Sequence, residues 1–189
     1  GGIAKVSSTL YMSAMLSDLK IDERDNQKYV PGYIDKDCDA DVSWDGQDFC
    51  FTNDTRYPVR IDISCSDEEL LVVLKGSKLN KNTVEIRTKI LEVYEHGTVY
   101  RSDRSLLAGK HVVMSSGIDG YKVQTYREIY DKKHKLISSK KEARSTYDSI
   151  KSVVAEGTKK PKPKRKKESG KEKPGQGTGT QAPSEASQQ

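Results

Sequence analysis

The stretch Gly1-Gly2-Ile3-Ala4-Lys5-Val6-Ser7-Ser8-Thr9-Leu10-Tyr11 opens the chain, and its pattern predicts the first helix. Apolar residues recur every four positions in two adjoining rows, which are Val6, Leu10 and Ala14, and Tyr11, Met15 and Leu19. This spacing predicts an amphipathic helix from about Ser7 to Leu19. We expect Ser7 or Ser8 to cap its first turn through the hydroxyl group. The alternative is that one of these serines is a nucleophile, but no residue that could act as its base stands beside them in the sequence.

Residue 4 occupies a position that suits a reactive thiol. The glycine pair lets the backbone turn tightly, and a helix N-terminus lowers the pKa of a nearby cysteine. The residue present is Ala4. The opening stretch resembles the signature of the VanW family, in which a cysteine stands at the position of Ala4 and a glutamine at that of Lys5. The resemblance implies a cell-wall L,D-transpeptidase fold with that cysteine as the nucleophile.

A second stretch, residues 22–28, strengthens the resemblance but lacks the histidines that the family has there. After Ile21 the chain reads Asp-Glu-Arg-Asp-Asn-Gln-Lys, where VanW-like sequences have Glu-Arg followed by histidines. Asp25 and Gln27 occupy the histidine positions. A thiol nucleophile needs an imidazole to accept its proton, so we predict a catalytically degenerate site at Ala4, Asp25 and Gln27. Because several positions differ together, we interpret the change as natural divergence rather than an engineered replacement of residue 4.

The resemblance continues to about Gly76, through Tyr33-Ile34 and residues 39–44 and 48–59. Alternating apolar residues predict a small antiparallel sheet whose members form core and turns; they are Phe49, Phe51, Val59, Ile61, Ile63, Leu71 and Val73. Residues 1–76 resemble only the C-terminal half of a VanW-type domain. We therefore expect this sequence to be a fragment, with an export signal or membrane anchor in a missing N-terminal segment.

A second unit follows a polar joint at Lys78 to Asn82. Alternation predicts a long strand from Thr83 to Tyr94. Residues from about Tyr100 to Thr158 resemble the five-glycine (G-five) domain of bacterial surface proteins, through residues 107–109, 116–130 and 155–159. Four of its glycines are present, as Gly109, Gly117, Gly120 and Gly157. Another residue replaces the fifth in a turn near Lys133 and His134, at some conformational cost.

Three tyrosines of this unit are candidates for glycan binding. Tyr121, Tyr126 and Tyr130 offer flat apolar faces with a polar tip, which suit sugar rings. The alternative is that they are ordinary strand residues, with Tyr121 on the face of Val123 and the other two on the opposite face. The resemblance implies either binding of wall carbohydrate or a spacer role.

The composition indicates modest cores and no metal centre. The chain has 33% hydrophobic and 32% charged residues, with two Phe and one Trp, which is typical of extended sheets with a disordered end. The three histidines stand apart, so we predict no metal and no cofactor. Cys38, Cys50 and Cys65 form an odd set; we expect free structural thiols, because Cys50 and Cys65 are predicted to point to opposite sides of the sheet.

The basic charge is concentrated at the C-terminus. Residues 159–189 contain nine Lys or Arg and three Glu, whereas the whole chain has a net charge of +5. The tail therefore accounts for the positive charge, and residues 1–158 are close to neutral. This Lys/Pro-rich tail is predicted to be disordered. It either contacts an anionic wall polymer by counterion release or only keeps the end soluble. Its candidate contact residues are Lys162, Lys164, Arg165, Lys166 and Lys167.

The sequence as a whole predicts an α+β fold class in four parts. Residues 1–77 form a partial VanW-like domain with an N-terminal helix and an antiparallel sheet, and residues 78–99 a connecting strand region. Residues 100–158 form an elongated all-β G-five-like module, and residues 159–189 the disordered tail.

The predicted function is that of an extracellular or cell-wall protein of a Gram-positive type bacterium. We expect it to bind peptidoglycan or another surface glycan noncovalently, with no nucleic acid partner and no transmembrane segment in these residues. The alternatives are an active L,D-transpeptidase-type acyl transferase, which would use the thiol of Cys38 or a restored cysteine at residue 4, and a surface spacer. The family name refers to vancomycin resistance, which predicts nothing for this chain.

Overall fold

The computed structural model describes residues 2–44, 46–77 and 80–161. These residues form one helix and ten strands. In chain order they are α1 (Gly2–Leu16), β1 (Lys20–Arg24), β2 (Phe49–Thr52), β3 (Arg60–Cys65), β4 (Leu70–Lys75), β5 (Thr83–Tyr94), β6 (Thr98–Leu107), β7 (His111–Ser115), β8 (Gly120–Tyr130), β9 (Leu136–Tyr147) and β10 (Ser152–Lys159). The prediction of one N-terminal helix followed mainly by β-sheet is confirmed. Residues 2–77 are called the N-terminal segment below, and residues 80–161 the C-terminal segment.

Helix α1 begins earlier than its apolar pattern predicts. It starts at Gly2, so the prediction that Ser7 or Ser8 caps the first turn is wrong. Both serines are buried inside the helix, and each hydroxyl donates to the carbonyl of Ala4 (3.2 and 2.6 Å). The apolar rows match the buried face only in part: Tyr11 is buried, whereas Val6 is 37% exposed.

The end of α1 is closed by a Schellman motif. The amide of Leu19 donates to the carbonyl of Ala14 (3.0 Å), and the amide of Asp18 donates to that of Met15 (3.1 Å). Asp18 holds the left-handed conformation that this motif requires, with φ 57°. The turn places Leu19 in the core, where it is 1% exposed.

The predicted small sheet of the N-terminal segment consists of two separate antiparallel pairs, β1 with β2 and β3 with β4. The expectation that Ile61, Ile63 and Leu71 belong to the core is wrong, because these side chains are 44–50% exposed. Their pair is a single layer, and α1 covers it at β4, where Val72 is buried. Ile63 is directly paired with Val72 and lies on the same face, so strand alternation predicted the hairpin but not how far α1 covers that face.

The C-terminal segment consists of two three-stranded sheets, with strand orders β5-β8-β9 and β6-β10-β7. Strand β5 has the predicted bounds and pairs antiparallel with β8. Strand β10 runs parallel to β6 and antiparallel to β7. In the turn where another residue replaces the fifth glycine, His134 has φ 59°. Glycine adopts this left-handed conformation at a lower conformational cost. The predicted domain boundaries at 77, 99 and 158 stay predictions.

The core lies where α1 meets the sheet β5-β8-β9. Tyr11, Met15 and Ala40 form a buried cluster. Ile86 of β5 packs against it from the C-terminal segment, and Phe49 of β2 from the N-terminal segment. The two segments therefore share one apolar core.

Candidate functional site

The predicted degenerate site is partly assembled around the hydroxyl group of Tyr33. This hydroxyl donates to the carbonyl of Ala4 (3.0 Å) and lies 3.1 Å from the hydroxyl of Ser8. The side-chain amide of Gln27 donates to the same Tyr33 oxygen. Ala4 and Gln27, which are far apart in sequence, are thus joined through one atom.

Asp25 does not join this group. Its backbone forms an isolated bridge with Asp41, whose amide donates to the Asp25 carbonyl (2.8 Å). The side chain of Asp25 is exposed. Of the two positions where the resemblance predicts histidines, the structure brings only Gln27 close to residue 4. Tyr33 was not predicted as a site residue, although it belongs to the Tyr-Ile pair that carried part of the resemblance.

A buried ionic network lies behind Gln27. Arg24, with its side chain 6% exposed, contacts the carboxylates of Asp37 and Asp39 at 3.0 Å each. The backbone amide of Gln27 donates to Asp39 (2.7 Å). Desolvation by burial is the largest single effect on the pKa of Arg24 and lowers it. The neighbouring acidic groups, of which Tyr11 has the largest effect, together outweigh desolvation, so the pKa is raised. The guanidinium is therefore charged and holds two fully buried carboxylates.

Strand β9 of the C-terminal segment completes this network. The hydroxyl of Tyr147 donates to Asp39 and accepts from the backbone amide of Asp37 (2.7 Å). The hydroxyl of Ser145 donates to Asp37 and accepts from Arg24 (2.6 Å). Burial, followed by the charge of Asp39, raises the pKa of Tyr147, so this phenol stays protonated. The segment that carries Gln27 is held by groups from both parts of the chain.

Arg127 of β8 makes a second polar link to the N-terminal segment. Its side chain is 7% exposed. It donates to the carbonyl of Leu19 (2.7 Å), and it contacts the carboxylates of Asp18 (3.3 Å) and Glu142 (2.8 Å). The C-terminal turn of α1 is thus fixed to the sheet by charge-assisted hydrogen bonds.

The groups around residue 4 offer hydrogen bonds but no strong nucleophile. The side chain of Ala4 is a methyl group, which has no lone pair. Cys38 is buried, and desolvation, followed by the charge of Asp35, raises its pKa from 9.0 to about 12. This thiol is protonated at neutral pH, which disfavours the predicted alternative of an acyl transferase that uses Cys38. Cys50 and Cys65 also lack a disulfide partner.

Each of the three predicted glycan-binding tyrosines has an intramolecular neighbour on its ring. The ammonium of Lys36 lies 4.4 Å from the ring centre of Tyr121, and the guanidinium of Arg87 lies 5.5 Å from that of Tyr126. The ring of Tyr130 contacts that of His134, with 5.8 Å between their centres. The role of these tyrosines in glycan binding stays a prediction.

The structure contains further features that bear on ligands. A cavity of about 500 Å³ lies between the end of α1, β4 and β5, and is lined among others by Leu19, Leu74 and Asn82. It does not include Ala4, Gln27 or Tyr33. Within residues 2–44, 46–77 and 80–161, no group of three or more His, Cys, Asp or Glu is arranged to hold a metal ion. In the same ranges, no helix combines the length and apolarity needed to span a bilayer.

The candidate polyanion contacts of the tail fall outside the described part of the chain. They are Lys162, Lys164, Arg165, Lys166 and Lys167. Most of the tail that was predicted to be disordered (159–189) also lies outside the described residues, but Lys159 is the last residue of β10, so the prediction was wrong at that residue.

Comparison with known proteins confirms both resemblances. Residues 1–75 match the family described as VanW like protein, and residues 84–159 match the G5 domain. The chain is 34% identical over 77 residues to the uncharacterized protein YoaR of Bacillus subtilis (strain 168). That match covers 41% of this chain and a quarter (25%) of the length of YoaR.

Two solved structures of G5 domains are similar to part of the chain. The crystal structure of HP0197-G5 is 20% identical with a TM-score of 0.24, and covers 41% of this chain and 100% of its own. The IgA1 protease G5 domain is 23% identical with a TM-score of 0.27, and covers 44% of this chain and 99% of its own.

Proposed function

Because a VanW-like stretch at residues 1–75 is followed by a G5 domain at residues 84–159, we propose that this chain is a noncovalent adaptor of the bacterial cell envelope. It binds peptidoglycan or another surface glycan through the G5 domain. The VanW-like stretch contributes structure and hydrogen bonding without catalysis. A secreted, Gram-positive setting is part of this proposal.

The absence of a catalytic side chain at residue 4 carries the proposal. The hydrogen bonds around this position link Ala4, Tyr33 and Gln27, yet a methyl group and a carboxamide stand where the family has a thiol and an imidazole. Neither can transfer a proton or attack a carbonyl at neutral pH. An amide and a phenol can hold a ligand by hydrogen bonds.

Retention on purified, insoluble peptidoglycan tests the binding. We expect the full chain to sediment with the polymer at 150 mM salt and to be released by soluble glycan fragments. A variant with glutamine at Lys162, Lys164, Arg165, Lys166 and Lys167 separates the tail from the folded part. Retention of this variant supports glycan recognition, whereas its loss shows that binding is electrostatic through the tail. Failure of the unmodified chain to sediment contradicts the proposal.

Intact-mass measurement tests the absence of chemistry. Incubation with a donor stem peptide is expected to leave the mass of the unmodified chain unchanged. The variant Ala4→Cys shows whether a thiol alone restores acylation in a site that has Gln27 in place of histidine. A covalent adduct on the unmodified chain would overturn the proposal in favour of an acyl transferase.

A further inference from the structure

The sheet β6-β10-β7 of the C-terminal segment presents an open face with an aromatic residue on its edge strand β6. Residues that are directly paired across strands point to the same side of a sheet, and alternate residues point to opposite sides. Tyr100, Val154 and Val113 are paired across the three strands. They form an apolar row about 10 Å long, since neighbouring strands lie 4.7–4.9 Å apart.

The two ends of this row are exposed, and its middle residue Val154 is half-buried. Tyr100 is 61% exposed and Val113 is 63% exposed. The ring of His111 contacts Tyr100 edge to face, with 6.3 Å between the ring centres. The side chain of Tyr100 is therefore largely open to solvent, whereas Tyr121 and Tyr126 are half-buried and each has a cationic group over its ring.

Hydrogen-bonding groups border the row on both sides. On one side, the pairing places Ser102, Glu156 and His111 next to one another on the same face. On the other side is the exposed Thr98, whose hydroxyl is hydrogen-bonded at 2.8 Å to that of the buried Ser152. The face thus has an apolar row in the middle. A carboxylate and an imidazole border this row on one side, and hydroxyl groups border it on the other.

From this arrangement we infer that the sheet face that carries Tyr100 binds a chain of neutral pyranose sugars, an inference that rests on the proposed glycan-binding function. The apolar C–H face of a pyranose stacks on the ring of Tyr100. Its hydroxyl groups donate to Glu156 and exchange hydrogen bonds with His111 and Ser102. The glycan contacts are then on this sheet rather than at Tyr121, Tyr126 and Tyr130.

The size and chemistry of the face favour a glycan over a protein partner or a lipid surface. A stable protein interface buries about 800 Å² on each side around an apolar centre, and a row of three side chains is much smaller. A lipid surface would leave the carboxylate of Glu156 facing an apolar or anionic layer. An extended sugar chain instead alternates apolar and hydroxyl surfaces on the scale of this face.

Titration of the full chain with soluble, uncharged strands of β-1,4-linked N-acetylglucosamine, which share the backbone of peptidoglycan glycan but carry no carboxylate, tests the inference. We expect Tyr100→Ala to weaken binding about tenfold, in line with the loss of one aromatic contact, and Tyr100→Phe to preserve it. Tyr57→Ala is the matched control, because Tyr57 is also exposed (49%) but lies outside this sheet. Far-UV circular dichroism establishes that each variant is folded.

The outcomes separate this inference from the function on which it rests. Binding of the strands by the unmodified chain, with the tenfold loss confined to Tyr100→Ala, supports both. Undiminished binding by Tyr100→Ala, or a loss on Tyr126→Ala instead, overturns the Tyr100 site and leaves glycan binding intact. Binding to whole peptidoglycan but not to the uncharged strands also overturns the Tyr100 site and leaves glycan binding intact. Failure to bind either polymer removes both, and a dimer that only Tyr100→Ala dissociates shows that the face contacts a second copy.

Discussion

Replacement of Tyr147 by phenylalanine removes one oxygen atom from the interface between the two segments. The Tyr147 hydroxyl donates to the buried carboxylate of Asp39 and accepts from the amide of Asp37. A hydrogen bond to a charged group contributes about 1.5–3 kcal/mol, and a buried donor left unpaired costs about 1–3 kcal/mol. We therefore expect Tyr147→Phe to lower the free energy of unfolding by roughly 2–4 kcal/mol.

Equilibrium urea unfolding at pH 7.5, followed by far-UV circular dichroism, measures this loss. The matched control is Tyr94→Phe, which removes a hydroxyl that donates to Glu92 (2.7 Å) at an exposed site. We expect the control to unfold like the parent, because water replaces the lost partner. The parent should unfold in one transition, since the segments share a core and the Arg24 network. Equal effects of the two substitutions, or separate transitions for the two segments, would refute the reasoning.

The same phenol predicts a loss of stability in alkali. Burial raises the pKa of Tyr147 above its ordinary value of 10.0. Below pH 10 the phenol is protonated in both states and its contribution is complete. Above pH 10 the unfolded state ionises first, so stability falls as the pH rises. The slope of the free energy of unfolding against pH should be smaller for Tyr147→Phe than for the parent; an unchanged slope would mean that this phenol does not titrate on unfolding.

Two further predictions concern a buried thiol and a close backbone contact. At pH 8, alkylation of Cys38 in the folded chain should be about a thousandfold slower than that of a thiol with the ordinary pKa of 9.0, because the pKa of Cys38 is about 12. Peptide mass spectrometry measures the rate of labelling, and rapid labelling would contradict the burial of this thiol. Gly157→Ala should unfold or strongly destabilise the sheet β6-β10-β7, since a Cβ atom there would lie 2.1 Å from the carbonyl oxygen of Leu107. Gly97→Ala is the control, as no atom lies within 4 Å of its Cβ position, and equal melting temperatures of the two variants would contradict this contact.

Local patterns in the sequence predicted most of the secondary structure. The alternation from Thr83 to Tyr94 predicted β5 with its observed bounds, because a two-residue period needs no information from elsewhere in the chain. The four-residue spacing predicted α1 but not its start at Gly2, since the first helical turn carries no apolar pattern. The exposure of Ile61 and Ile63 was missed because alternation identifies a face without showing what covers it.

The candidate site was predicted less completely. Ala4 and Gln27 were identified through the resemblance, and the structure joins them through Tyr33. The role of Tyr33 depends on a loop that returns to the start of α1, which no local spacing reveals. The tyrosines chosen for glycan binding were selected by residue type, and the ring contacts of Tyr121 and Tyr126 depend on side chains remote in sequence.

By itself, the amino-acid sequence determined which side chains are available for chemistry and where the chain alternates. It placed alanine at residue 4 and an aromatic residue in β6. Only the tertiary structure decided that Arg24 holds two buried carboxylates with the help of Tyr147, and that the ring of Tyr100 remains open. The physical reason is that reactivity belongs to single residues, whereas desolvation and exposure depend on distant segments that pack against them.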